Sequence, residues 1–191
     1  MRSVLMLILG LLTACGPFGI AAVNARLPLG KLVQESFPTP PTDRTLIYTG
    51  AGNAELRALP FETGTTPLRV DVAAGSDKVS RLDLKGERAA TVITDSLPHF
   101  YLFVPDEASP HPPLLVRLSQ RHGARRATVV AQRGQRGFAV ASEEIVKPRY
   151  RVLGREGGMI FLEIWPREPL VAGEYAFVGS ELSRIAAFSI K

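Results

Sequence analysis

The sequence predicts an all-β domain, a sandwich or barrel of short strands, placed behind an apolar N-terminal segment. Three observations carry this reading. Short runs rich in β-branched and aromatic residues recur along the chain, and LRVDVA (68–73) alternates apolar and polar positions, the period of two that marks a half-buried strand. Gly, Pro, Asp and Ser bound these runs, and 15 prolines with 17 glycines scattered between them point to many turns. Nothing after the leader shows a long apolar stripe at the 3.6-residue helical period.

In chain order, the first segment reads MRSVLMLILGLLTAC. Arg2 and the terminal amine make a basic start, Val4 to Leu12 a short apolar core, and Thr13-Ala14 a small-residue end. That is the order of a secretory signal peptide. Leu12-Thr13-Ala14-Cys15 resembles the lipobox of bacterial lipoproteins, an aliphatic residue followed by two small residues and cysteine. The resemblance implies that Cys15 is diacylated on sulfur and becomes the first residue of the mature chain. Gly16 follows it, not the aspartate that retains some enterobacterial lipoproteins at the inner membrane. Two other readings fit the same stretch. Val23-Asn24-Ala25 offers small residues for cleavage after Ala25, and Val4 to Val23 is an uncharged run of 20 residues, long enough to span a bilayer. All three imply export. Cys15 is the only cysteine, so an exported body has no disulfide and is held by its core alone.

The organisation that follows is a signal peptide or membrane anchor over 1–25, a Pro-rich linker over 26–43 and a β-sandwich domain over 44–191. In SFPTPPTD (36–43), Pro38, Pro40 and Pro41 fix φ and block helix, as an extended spacer requires. The remaining body of about 150 residues suits one domain, and 46% hydrophobic residues exclude general disorder.

Within the body, TLIYT (45–49) and AELRAL (54–59) are weaker strand patterns. LRVDVA (68–73), VSRLDL (79–84), ATVIT (90–94), HFYLFV (99–104), LLVRLS (114–119) and ATVVAQ (127–132) are clearer. YRVL (150–153), MIFLEI (159–164), YAFV (175–178) and AAFSI (186–190) complete the set. Two hairpins are expected, one connected by Gly154 through Gly158 and one around His122-Gly123-Ala124. In LLVRLSQR, Leu114, Val116 and Leu118 are expected on one face, with Arg117, Ser119 and Arg121 on the other.

PLVAGEYAF (169–177) contains Leu170-x-x-Gly173-x-Tyr175, which resembles the tyrosine corner of immunoglobulin-like sandwiches. The resemblance implies that Tyr175 hydrogen-bonds back to the backbone and locks a Greek-key crossover. FYLFVPDEASPHPPLLVRL, the RRATVVAQRG strand and PLVAGEYAF, over about residues 99–179, are also similar in order to uncharacterised bacterial envelope proteins. The fold expected is therefore an immunoglobulin-like, Greek-key β-sandwich.

The motifs of catalysis are largely missing from the sequence. His99, His111 and His122 lack the close spacing that aims two rings at one ion, so no metal site is expected. There is no G-x-S-x-G elbow, and Ser142 beside Glu143 and Glu144 has no neighbouring histidine. Adjacent acids on extended chain point to opposite sides, which reads as a solvated turn. Gly50-Ala51-Gly52-Asn53 is too short for a nucleotide loop, and Trp165 reads as core or as a platform for sugars.

Charge is more informative. No acid lies between Glu107 and Glu143, whereas Arg117, Arg121, Arg125, Arg126, Arg133 and Arg136 fall in that interval of a chain with net charge +5. Guanidinium forks bind phosphate and carboxylate bidentately, and Arg121, Arg125 and Arg126 are expected to gather at one hairpin tip. In an exported chain such anions belong to lipid, cell-wall polymer or an acidic protein, not nucleic acid; a plain solvated face is the alternative. The function expected is an exported, membrane-tethered β-sandwich of the bacterial envelope, periplasmic or attached to the outer membrane. It would bind or brace another envelope component, without catalytic residues or cofactor. The alternative is a small envelope hydrolase or carbohydrate-active enzyme whose site is assembled from distant loops.

Overall fold

A computed structural model of the chain describes residues 37–50, 55–63, 66–71, 79–107, 111–131, 138–179 and 184–191. In chain order the strands are β1 (Ile47–Gly50), β2 (Arg57–Leu59), β3 (Thr66–Asp71), β4 (Val79–Lys85), β5 (Thr91–Ile93) and β6 (His99–Pro105). They continue with β7 (Leu114–Arg121), β8 (Ala124–Ala131), β9 (Phe138–Val140), β10 (Pro148–Glu156), β11 (Met159–Pro166), β12 (Gly173–Val178) and β13 (Ile185–Ile190). One 3-10 turn, Ser142–Glu144, follows β9. The fold is all-β, as the alternation predicts, and no helix among the described residues is long and apolar enough to cross a membrane.

Two sheets form. One has five strands in the order β10-β11-β6-β1-β2. The other has eight, in the order β3-β4-β8-β7-β12-β13-β5, with β9 on β8. Every pairing is antiparallel except β5 with β13. After β2 the chain crosses from one sheet to the other, where Phe61 bridges Ala186 and the Glu62 amide donates to Ile185 O at 2.8 Å.

The larger sheet buries both of its faces at β7, β12 and β13. Leu115, Tyr175, Phe177, Ala186, Phe188 and Ile190 pack against Phe100, Leu102, Ile160, Leu162 and Ile164 of the five-stranded sheet. The alternate residues Val116, Leu118, Ala176, Val178, Ile185 and Ala187 enter a second core with Leu82, Leu84, Ala127, Val129 and Val140. The period of two thus serves two cores at once, and every residue of β13 is buried. The cause lies in the β7–β8 hairpin, whose strands pair only at Ser119–Arg121 with Ala124–Arg126. Beyond these pairs they part, and β8 runs on with β4 and β9 across the far side of β7 and β12. Aromatic rings fill the first core, while alanines at 127, 176 and 187 let the second close tightly.

Three expectations are corrected. The β10–β11 connection is only Gly157-Gly158, both at positive φ (58° and 73°), a two-residue turn that glycine adopts without steric cost. Gly154 lies within β10, at a bulge following Val152. Leu114 is exposed, and Leu115, on the face that carries Arg117, is buried because it packs into the first core, while Val116 and Leu118 enter the second.

Ser36–Lys191 forms one compact unit. The described end of the Pro-rich segment is fastened to it. Pro38 is buried, the Arg151 guanidinium lies 4.8 Å from the Phe37 ring, and Asp43 accepts from Thr45 N at 2.8 Å and Thr45 Oγ1 at 2.7 Å.

Candidate functional site on the outer face of the five-stranded sheet

A densely hydrogen-bonded polar cluster lies on the face of the five-stranded sheet turned away from the first core. Strand register builds it. Arg151 of β10 stands opposite Glu163 of β11, which stands opposite Tyr101 of β6, which stands opposite Tyr48 of β1. One row therefore carries cation, carboxylate and two phenols across four strands. Glu163 is 3% exposed, and apolar Phe161, Phe103 and Leu153 lie in the neighbouring rows of this face.

A buried carboxylate is tolerated only when hydrogen bonds and charge replace its lost water. Glu163 Oε1 accepts from His99 Nδ1 at 2.8 Å and from Tyr101 Oη at 3.1 Å. Its Oε2 accepts from Arg151 Nε at 2.6 Å, with a second guanidinium nitrogen also at 2.6 Å. Burial pushes the Glu163 carboxyl up, but donation from His99, Arg151 and Tyr101 outweighs it and holds the group below the ordinary carboxylate range. Burial, followed by the adjacent Glu163 charge, raises Tyr101 to about 12. Around this core the rings stack. His99 lies 5.5 Å from Trp165 at 13°, and the Arg151 guanidinium sits between Trp165, at 5.9 Å, and Phe37, at 4.8 Å.

An ionised carboxylate only accepts, so the Nδ1 of His99 carries a proton and its Nε2 is left for another partner. Among the described residues no hydroxyl or thiol bonds to Nε2. His99 and Glu163 thus share the arrangement of an imidazole oriented by a carboxylate, and no third group joins them at Nε2 among the described residues. His99 also lines a cleft of about 610 Å³ with Glu55, Arg57, Thr91, Thr94 and Asp95, which opens between the edge strands β2 and β5. A second buried acid, Glu174, accepts from Ala89 N at 2.8 Å and Ser189 Oγ at 2.6 Å. It borders a cleft of about 510 Å³ with Arg88, Gln120 and Lys191. Among the described residues no group of three or more His, Cys, Asp or Glu side chains could hold a metal ion.

The arginine interval is not gathered as its sequence suggests. Arg117 and Arg121 are exposed on β7. Arg125 is 2% exposed and bonds Glu62 Oε1 at 3.0 Å, Gly86 O at 3.1 Å and Lys85 O at 2.9 Å. Arg126 grips Asp83 with two bonds of 2.6 and 2.9 Å. The expected tip of three guanidiniums is therefore corrected. β8 is an interior strand of its sheet, so Arg125 and Arg126 point to acids brought in from elsewhere in the chain. Arg133 and Arg136 lie outside the described residues, as does Cys15. Leu170 and Tyr175 are buried in the first core with Gly173 between them, and Tyr175 Oη donates to Val171 O at 2.9 Å. Glu144 is not merely a solvated turn acid, since it accepts from Thr128 N at 2.7 Å and Thr128 Oγ1 at 2.8 Å.

Sequence reasoning passed over Glu163, Arg151 and Tyr101. The available signal was the single acid inside the otherwise apolar run MIFLEIW, a position that demands a partner. No family model, no curated protein and no solved structure matches this chain.

Proposed function

We propose that the chain is an exported, membrane-tethered β-sandwich of a bacterial envelope, immunoglobulin-like in kind, which binds another envelope component and is not an enzyme. The leader ending in Leu12-Thr13-Ala14-Cys15 supports export and tethering. One observation carries the binding half. The groups best suited to chemistry, Glu163, His99, Tyr101 and Arg151, are engaged with one another on a sheet face, and no nucleophile joins them among the described residues. Such a network fixes a surface; it does not transfer a group. The test is crosslinking in intact envelopes followed by pull-down, comparing the parent with Cys15→Ser. A defined envelope partner recovered with the parent and lost with the variant is the expected result; identical recoveries would contradict it.

A second reading is favoured by the cleft between β2 and β5, where Glu55, Asp95 and His99 line one space. It makes the chain a small envelope hydrolase or carbohydrate-active enzyme. Turnover of cell-wall polymer that disappears in both His99→Ala and Asp95→Asn would favour it over the binding module.

A further inference from the structure

β10 ends the five-stranded sheet. It pairs with β11 from Pro148 to Glu156, and its other side pairs with no described strand. A bare edge is a template for another strand, and proteins usually blunt it with proline, charge or a bulge. Here Pro148 stands at the start and the bulge falls after Val152, so Arg149 to Val152 is left as regular edge, exposed at Arg149, Tyr150 and Val152 and half-buried at Arg151.

The two sides of this stretch differ. Arg149 and Arg151 are register partners of Trp165 and Glu163, on the outer face, and Lys147 precedes them. Tyr150 and Val152 are partners of Ile164 and Leu162, on the face of the first core. Ile164 and Leu162 are buried, yet Tyr150 is 49% and Val152 53% exposed. The layer that covers β11 does not cover β10, and two large apolar side chains are left in water at the edge.

We propose that β10 receives an extended segment of another protein in which acidic and apolar residues alternate. A strand added along Arg149–Val152 places alternate side chains on opposite faces of the sheet. Those on the outer face come beside the exposed cations Lys147 and Arg149, where carboxylates are favoured, while Arg151 is already engaged by Glu163. Those on the inner face meet Tyr150 and Val152 and remove them from water. A second copy of this chain fits poorly, because it would bring its own exposed Lys147 and Arg149 to the same face, and the chain already carries net charge +5. This inference goes beyond the proposed envelope function and requires neither lipid nor compartment, so its test is independent of export.

The probe is a short labelled peptide of alternating Glu and Val, titrated by fluorescence anisotropy against the full chain in neutral detergent. A peptide with Lys in place of Glu and one with the same residues in two blocks serve as controls, and hydrogen exchange locates the contact. We expect slowed exchange at 149–152 and affinity weakened roughly tenfold or more for both control peptides. The same loss is expected for Tyr150→Lys/Val152→Lys, exposed positions whose replacement leaves the melting temperature near that of the parent. Equal binding of the Lys peptide, protection confined to other strands, or an unaffected double variant would each overturn the proposal. So would self-association of the chain abolished by the double variant, which would assign the edge to a second copy.

Discussion

Arg151 and Glu163 are partners in both register and charge: they stand opposite one another on β10 and β11, and two guanidinium nitrogens lie 2.6 Å from one carboxylate oxygen. The contact fixes the edge strand to its neighbour on the face away from the core, where apolar burial cannot do so alone. Its loss has a direction and a pH dependence. Glu163 is held below the ordinary carboxylate range in the folded chain despite its burial. Its contribution is therefore present above the unfolded carboxyl value and lost as pH falls through the lower folded value. Glu163→Gln should cost about 1–3 kcal/mol at pH 7. The gap from the parent should hold at neutral pH and narrow only as the pH falls below the unfolded carboxyl value of about 4.3. Denaturant titrations at neutral and acid pH measure both values, and a gap that does not change with pH would contradict this assignment.

Tyr101 gives the alkaline counterpart. In the unfolded chain a tyrosine ionises near 10, while Tyr101 in the fold keeps its proton to about 12. Folding favours the neutral phenol, so stability is intact below pH 10 and declines as pH rises from 10 towards 12. Phenolate absorbance of the native chain should lag behind that of the urea-unfolded chain, and Tyr101→Phe should reduce the lag.

Arg125 and Arg121 should respond in opposite ways. Arg125→Ser removes a buried guanidinium and strands Glu62 and two backbone carbonyls, so a loss of about 3–5 kcal/mol is expected. Arg121→Ser changes an exposed position and should stay within about 0.5 kcal/mol. Thermal melts of the two single variants decide the matter; similar melts would mean that Arg125 is not built into the sheet.

These contrasts mark how far the sequence could be read. Enrichment in aromatic and β-branched residues, between bounding turn residues, made HFYLFV and MIFLEI legible as strands. The run IAAFSI reads equally well as one strand of any sheet; that its two faces serve two cores depends on β8 parting from β7, which no local pattern encodes. Phe138–Val140 is too short to read as a strand by itself. Proline content in SFPTPPTD predicted an extended spacer, but the Phe37–Arg151 contact that fastens its described end depends on a residue more than a hundred positions away. The same holds for the site: His99, Arg151 and Glu163 lie on three strands, and only sheet register unites them. Likewise the arginine interval was visible as charge, but the acids that neutralise Arg125 and Arg126 are distant in sequence.

Tyr175 is the local feature most open to a single-atom test. Its hydroxyl donates to Val171 O, four residues upstream, while its ring packs in the first core. Tyr175→Phe keeps the ring and removes the bond, at a cost of about 0.5–1.5 kcal/mol. Val171 is exposed, so water can reach its carbonyl and the lower part of that range is expected. In a domain of this size the melting temperature should fall by about 2–4 °C for each kcal/mol lost. An unchanged melt would mean that the bond contributes nothing.

The proposed function requires that the body be exported and tethered to a membrane through Cys15. Intact mass of the chain recovered from bacterial membranes, after growth with labelled palmitate, tests it most directly. The expected result is a mature chain that begins at Cys15 and carries label, with the label absent from Cys15→Ser and that variant released from the membrane. A chain beginning at Arg26, or an unlabelled chain that still carries residues 1–14, would contradict it.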